Sequence, residues 1–156
     1  MKRHAFSLIE LIFVIVLMGV LAGIGFYYSR PDYVRQDAQY TLLKLKEARY
    51  RAIGFETGDG SCSEAGWVQL TKDALSSNEA PKYEIKSTIS YDTNILTDAK
   101  KTICFDSLGR PHDGNDTRLR TLIHNDFNIT FNKTGAHDVN ITLFSGTGYA
   151  IIPCNN

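Results

Sequence analysis

Hydrophobic and polar positions divide the chain into three stretches with different periods. In the first, residues 11–28 carry no charge, and residues 6–10 extend the apolar run forward with a single carboxylate, Glu10. At about 1.5 Å per residue the whole run makes roughly 35 Å of helix, enough to cross about 30 Å of hydrocarbon. In the second, from residue 32 to about residue 55, Ala38, Leu42, Leu45, Ala48 and Ala52 recur every three or four positions. Lys44, Lys46, Glu47, Arg49 and Arg51 are interleaved with them. This pattern predicts an amphipathic helix with one face on an apolar layer and the other charged. Pro31 lies between the two stretches and predicts a kink or break near residues 29–31. Gly54 and Gly58 stop the second helix and open a polar loop that contains Cys62.

The third stretch has a period of two. Residues 67–70 predict a strand, residues 71–75 a brief helical turn, and residues 83–91 a half-exposed strand. Residues 102–105 predict a short buried strand. Beyond it Gly109 and Pro111 turn the chain, and residues 113–117 form a polar loop. Within residues 122–131, Phe127, Ile129 and Phe131 alternate with polar positions, and Val139, Ile141 and Leu143 do so again after the turn at Thr134-Gly135. These two runs predict an antiparallel hairpin. Gly146 and Gly148 precede a last short segment at residues 149–152. The expected architecture is α+β: a long N-terminal helix whose second half covers one antiparallel sheet.

Composition narrows the function classes. The 156 residues carry 17 basic and 17 acidic side chains, so no broad positive field invites nucleic acid. Lys2 and Arg3 precede the apolar run, and the positive-inside rule therefore keeps the N-terminus cytoplasmic and exports the rest. A cleaved secretory signal is disfavoured because the run is too long and lacks a clear small-x-small site. A plain anchor leaves Glu10 unexplained. A charge at the centre of a membrane helix costs about 2.5–3.5 kcal/mol, and such residues usually have a specific task. Gly19, Gly23 and Gly25 lie within the run, and the sequence leaves two readings open: close helix packing through Gly19 and Gly23, or a helix that loosens readily, since each glycine lowers helix propensity by about 1 kcal/mol. The basic run at residues 44–51 reads as a solvated flank facing a neighbouring subunit.

Candidate chemistry outside the helix is sparse. Of Cys62, Cys104 and Cys154, two can form a disulfide and one is left over. An exported domain favours such a bridge. Cys62–Cys104 would pin the loop after the helix to a central strand and is preferred. Cys104–Cys154 would lock the tail, and the sequence leaves both open. The cysteines and the scattered histidines His4, His112, His124 and His137 fit no zinc spacing, so no metal site and no cofactor is expected. Asp113 and Asp116 match no calcium-loop spacing; weak calcium binding and turn residues are both open, and turn residues are preferred. Ser61 and Ser63 beside Cys62, and Asp106 near His112, sit in ordinary loops and make no catalytic set. Asn115, Asn128, Asn132 and Asn140 each begin an Asn-x-Thr acceptor, and Asp stands two residues before Asn115, Asn128 and Asn140. Asn115 is the best placed for glycosylation, since Asn128 and Asn140 fall in strands.

The leader itself resembles a known family. Basic residues, a small residue, and Phe6-Ser7-Leu8-Ile9-Glu10-Leu11 ahead of a long apolar helix resemble the class III leader of type IV pilins and type II secretion pseudopilins. The resemblance implies cleavage by a prepilin peptidase between Ala5 and Phe6, with Ala5 standing where the family usually has Gly. It implies N-methylation of Phe6, and filament assembly through Phe6 and Glu10, the carboxylate meeting the Phe6 amine of a neighbouring subunit. The resulting organisation is a cytoplasmic leader at 1–5, a transmembrane and filament-core helix at 6–30, its amphipathic half at 31–56, and a periplasmic β-rich domain at 57–156.

The strand and turn Ile103-Cys104-Phe105-Asp106-Ser107-Leu108-Gly109, with Ile129-Thr130-Phe131 and Thr134-Gly135, resemble the minor subunits of the GspH, FimT and FimU group. A major pilin is disfavoured because its C-terminal disulfide loop has no counterpart near Cys154. The expected function is that of a non-enzymatic minor pseudopilin or minor pilin in the bacterial inner membrane, serving secretion, DNA uptake or adhesion. Its expected partners are the prepilin peptidase, other pilin or pseudopilin subunits, the inner-membrane assembly platform and membrane lipid. The alternative is a periplasmic binding module on a passive anchor that never polymerises.

Overall fold

The computed structural model describes residues 8–28, 32–54, 62, 66–77, 82–114 and 118–153, with α1 side chains placed as far as Ile24. The chain forms two compact units, Met1–Asp32 and Tyr33–Asn156. The first unit contains one helix, α1, Leu8–Tyr28. Every placed side chain on it is exposed. Among the described residues no helix is long and apolar enough to cross a membrane. The expected kink near residues 29–31 lies outside the described residues.

The second unit begins with α2, Tyr33–Ala52, whose buried residues are Val34, Asp37, Ala38, Thr41, Leu45, Ala48 and Ala52. Their three-and-four spacing draws one stripe along the helix. Most of them are small, which lets strands approach closely. Leu42, expected on this face, is only half-buried. The helix ends where Gly54 adopts φ +84° and its N–H donates to the Ser107 carbonyl at 3.1 Å. A left-handed glycine just past the last turn is the usual way to satisfy terminal backbone groups.

Among the described residues seven strands follow, in two antiparallel sheets rather than the single sheet expected. The first sheet has the order β1 (Trp67–Gln69), β3 (Thr102–Phe105), β4 (Pro111–Asp113). The second has the order β2 (Thr88–Tyr91), β5 (Phe127–Asn132), β6 (Val139–Leu143), β7 (Ala150–Ile151). A short helix α3, Lys72–Leu75, follows β1, with Thr71 accepting from the Ala74 N–H as its N-cap. The split has a physical basis in β3, which is buried at all four positions, whereas β5 alternates buried and open ones. A strand covered on both faces belongs between layers, while an alternating strand has one face in water. The core joins Leu45 of α2 to Ile103 and Phe105 of β3 and to Ile129, Phe131, Ile141 and Leu143 of the hairpin.

Two further segments differ from expectation. Residues 111–113, expected as a turn leading into a polar loop, form β4. Pro111 opens this edge strand, a position where its missing N–H costs no central ladder bond. Only residues 88–91 of the strand expected at 83–91 join a sheet, because the Lys86 and Ser87 N–H groups bond the Asp37 carboxylate instead of a strand. Gly148 (φ +63°) lets the last turn meet the β3–β4 turn. A Cβ there would stand 2.0 Å from the Gly109 carbonyl oxygen.

Candidate assembly site

Apart from Glu10, α1 is apolar all round, and it packs on nothing among the described residues of its own unit. Leu8 is 76% exposed, Ile9 75% and Phe13 61%. A helix of this kind needs surroundings supplied from outside its chain, a bilayer or a bundle of other helices. Glu10 sits in its first turn. There the unpaired N–H groups favour a carboxylate, yet Glu10 is exposed and has no ion-pair partner among the described residues. One helical turn apart, Gly19 and Gly23 each have open space where a Cβ would stand. α1 therefore presents an apolar rod, one unpartnered carboxylate near its start and a small-residue face available for a second helix.

Ala5 and Phe6, expected to flank the leader cleavage, with Phe6 also the expected methylation and assembly residue, lie outside the described residues, as do Cys154, Asn115, Asp116, Ser61 and Ser63. Cys62 and Cys104 are joined by a disulfide with a Cα–Cα distance of 6.0 Å, linking the segment after α2 to the middle of β3. Asn128 faces out of β5 and its Oδ1 accepts from the Thr142 hydroxyl at 2.7 Å. Asp113, at the end of β4, holds the distant segment at 97–98, accepting from the Thr97 N–H, the Thr97 hydroxyl and the Asp98 N–H. Among the described residues no three metal-ligating side chains gather.

The structure does bring Asp106 and His112 together, with a Thr121 hydroxyl behind them. His112 Nε2 is 3.5 Å from Asp106 Oδ2, and its Nδ1 is 3.1 Å from Thr121 Oγ1. The order resembles a catalytic relay, but the imidazole is 0% exposed and no substrate reaches it. Asp106 is also taken up by Arg110, which donates from its backbone N–H at 2.7 Å and from its guanidinium at 2.7 Å. Burial pushes the Asp106 carboxyl up, but the Arg110 bonds and charge together with the His112 contact outweigh it, and its pKa lies below the ordinary value. This cluster ties the β3–β4 turn to β4.

The carboxylate that sequence reasoning passed over is Asp37. It is 1% exposed, and its two oxygens accept from the Tyr83 hydroxyl at 2.6 Å, the Lys86 N–H at 2.8 Å, the Ser87 N–H at 2.7 Å and the Ser87 hydroxyl at 2.8 Å. Burial first, then the bond to Asp37 and its charge, raise the Tyr83 pKa well above the ordinary phenol value. A signal was present in the spacing: position 37 falls on the stripe drawn by Val34, Ala38, Thr41 and Leu45. A count of apolar residues alone skips it.

Residues 1–26 match the family model described as the prokaryotic N-terminal methylation motif. The match supports the class III leader of the type IV pilins and pseudopilins. It covers α1 as far as residue 26 and ends before the second unit begins. That motif implies processing by a prepilin peptidase, assembly with other pilins and membrane anchoring, and it belongs to structural subunits rather than enzymes. No curated protein and no solved structure matches the chain.

Proposed function

We propose that the protein is a structural minor subunit of a type II secretion pseudopilus or a type IV pilus. The observation that carries the reading is the methylation motif laid over α1, an exposed apolar helix with one unpartnered carboxylate. Before assembly the apolar run of the sequence, longer than the placed part of α1, crosses the bacterial inner membrane once and leaves the β-rich unit in the periplasm. The prepilin peptidase removes residues 1–5 between Ala5 and Phe6, and the new Phe6 amine is methylated. On extraction into the filament, α1 exchanges lipid for the apolar helices of its neighbours. Burying Glu10 there without a partner carries a heavy penalty, and a neighbour's Phe6 amine removes it. The pair therefore sets axial register more than it adds net stability.

The Cys62–Cys104 bridge suits an oxidising periplasm. The buried β3 strand with its Asp106–Gly109 turn supports a place among the minor subunits of the GspH, FimT and FimU group. Secretion, DNA uptake and adhesion are the processes such filaments serve.

The deciding experiment is Glu10→Ala in the native cell. The filament reading expects normal membrane insertion with loss of the protein from sheared filaments. Absence of the unaltered protein from sheared filaments, with no effect of Glu10→Ala on its function, would favour the passive anchor, and unchanged incorporation of Glu10→Ala would refute the role given to Glu10. Mass measurement of the mature N-terminus should find N-methyl-Phe6, and functional protein beginning at Met1 would refute the leader assignment.

A further inference from the structure

We propose that Tyr33, Lys86 and Lys133 form a seat for anionic phospholipid headgroups, which holds the β-rich unit against the membrane surface before assembly. The proposal rests on the single-span reading above. Lys86 Nζ stands 4.1 Å from the centre of the Tyr33 ring and Lys133 Nζ stands 5.1 Å from it. The two ammoniums come from different elements, one from the segment before β2 and one from the β5–β6 turn. Both lysines are exposed, and Tyr33 is 36% exposed.

Two like charges gathered on one ring repel each other, and a shared anion relieves that repulsion. Tyr33 and Lys86 line an open groove of about 460 Å³ that also contains Lys82, Ser76 and Ser77. Opposing charge in the groove comes from Glu84 and from Asp37, but the Asp37 carboxylate is already engaged by its four donors. Its bonds to the Lys86 and Ser87 N–H groups also hold the backbone that carries Lys86 in place.

Covalent connection decides what this cluster meets. Five residue steps separate Tyr28, the end of the apolar run, from Tyr33. At no more than about 3.6 Å per step, Tyr33 stays within roughly 18 Å of the end of the span, whatever path the chain takes. A tyrosine with two lysines within that reach suits the aromatic and basic anchors found at the headgroup level. A lysine near an anionic bilayer strengthens attachment about fivefold, so the pair is worth roughly 30-fold, and salt weakens it.

The test uses the full chain in vesicles of phosphatidylcholine, with or without phosphatidylglycerol, and a water-soluble acylating reagent read out by mass spectrometry. Acylation of Lys86 and Lys133 should slow at least about fivefold in the anionic vesicles, with Lys100 as an unaffected control. The protection should vanish in 1 M salt, and Lys133→Gln should weaken it at Lys86. Equal rates in both vesicle types, with the protein carbonate-resistant in each, would overturn the lipid seat and leave the span standing. Equal slowing by inorganic phosphate alone would also overturn it, by assigning the site to a free anion. Protein that fails to integrate at all would sink the span and this proposal together.

Discussion

Glu10 on α1 and Asp37 on α2 are both carboxylates on helices, yet among the described residues only one of them finds partners. Asp37 collects four donors from the segment 83–87 and is fully buried. Glu10 stands exposed on a helix whose placed side chains are all exposed. The same chemical group therefore marks two kinds of incompleteness in sequence. For Asp37 the missing partners lie about 50 residues downstream in the same fold. For Glu10 the described residues supply none, and the filament proposed above would supply them from a neighbouring subunit. A buried carboxylate satisfied in cis organises a domain, and in the proposed filament an unsatisfied one on an apolar helix would organise an assembly.

The sharpest way to break this contrast is to exchange the phenotypes. Glu10→Ala should abolish filament incorporation while leaving the thermal unfolding of the β-rich unit where it was, measured by circular dichroism on the same preparation. A shift in unfolding would mean that α1 supports the fold after all. Next in size is the disulfide, which closes a loop spanning a sequence separation of 42. By the chain-entropy account its removal in a Cys62→Ala/Cys104→Ala double variant should cost about 4 kcal/mol in urea unfolding. An unchanged midpoint would show that β3 needs no covalent tie to the end of α2.

Asp37→Ala comes third. Leaving the Tyr83 and Ser87 hydroxyls and two backbone N–H groups without their acceptor should cost about 3 kcal/mol, with membrane insertion intact. Hydrogen exchange at the Lys86 and Ser87 amides should rise in the same variant, and their continued protection would contradict the clamp.

The smallest effects are pH-dependent and have opposite signs. Asp106 has a folded pKa depressed below its ordinary 3.8. Its contribution is present above about pH 4 and is lost as pH falls through the folded value. Asp106→Asn should flatten that acid limb. Tyr83 has a folded pKa raised above its ordinary 10.0. Its contribution is complete below pH 10 and is lost as pH rises past it. Tyr83→Phe should remove the alkaline loss, and an unaltered alkaline limb would show that the phenol does not titrate there.

Local pattern carried a good part of the fold. The apolar run at 11–28, the helix stripe through Ala38, Leu45, Ala48 and Ala52, and the alternating Phe127, Ile129 and Phe131 each report burial through spacing along the chain. β4 was hidden because Pro111 and the polar residues near it look like a turn when the partner strand is not in view. The two-sheet division was hidden because alternation shows which face of a strand is wet, and not which strand lies beside it.

By itself the sequence determined that this chain begins with a class III leader on an apolar helix bearing one carboxylate, since composition, order and spacing there are local properties. Tertiary structure alone decided that Asp37 would be a satisfied core carboxylate, that Cys62 would reach Cys104, and that Lys86 and Lys133 would meet on Tyr33. Each of those results joins residues about 40 to 100 positions apart. Only the closing of the chain around a shared core sets which distant donors, thiols and charges become neighbours.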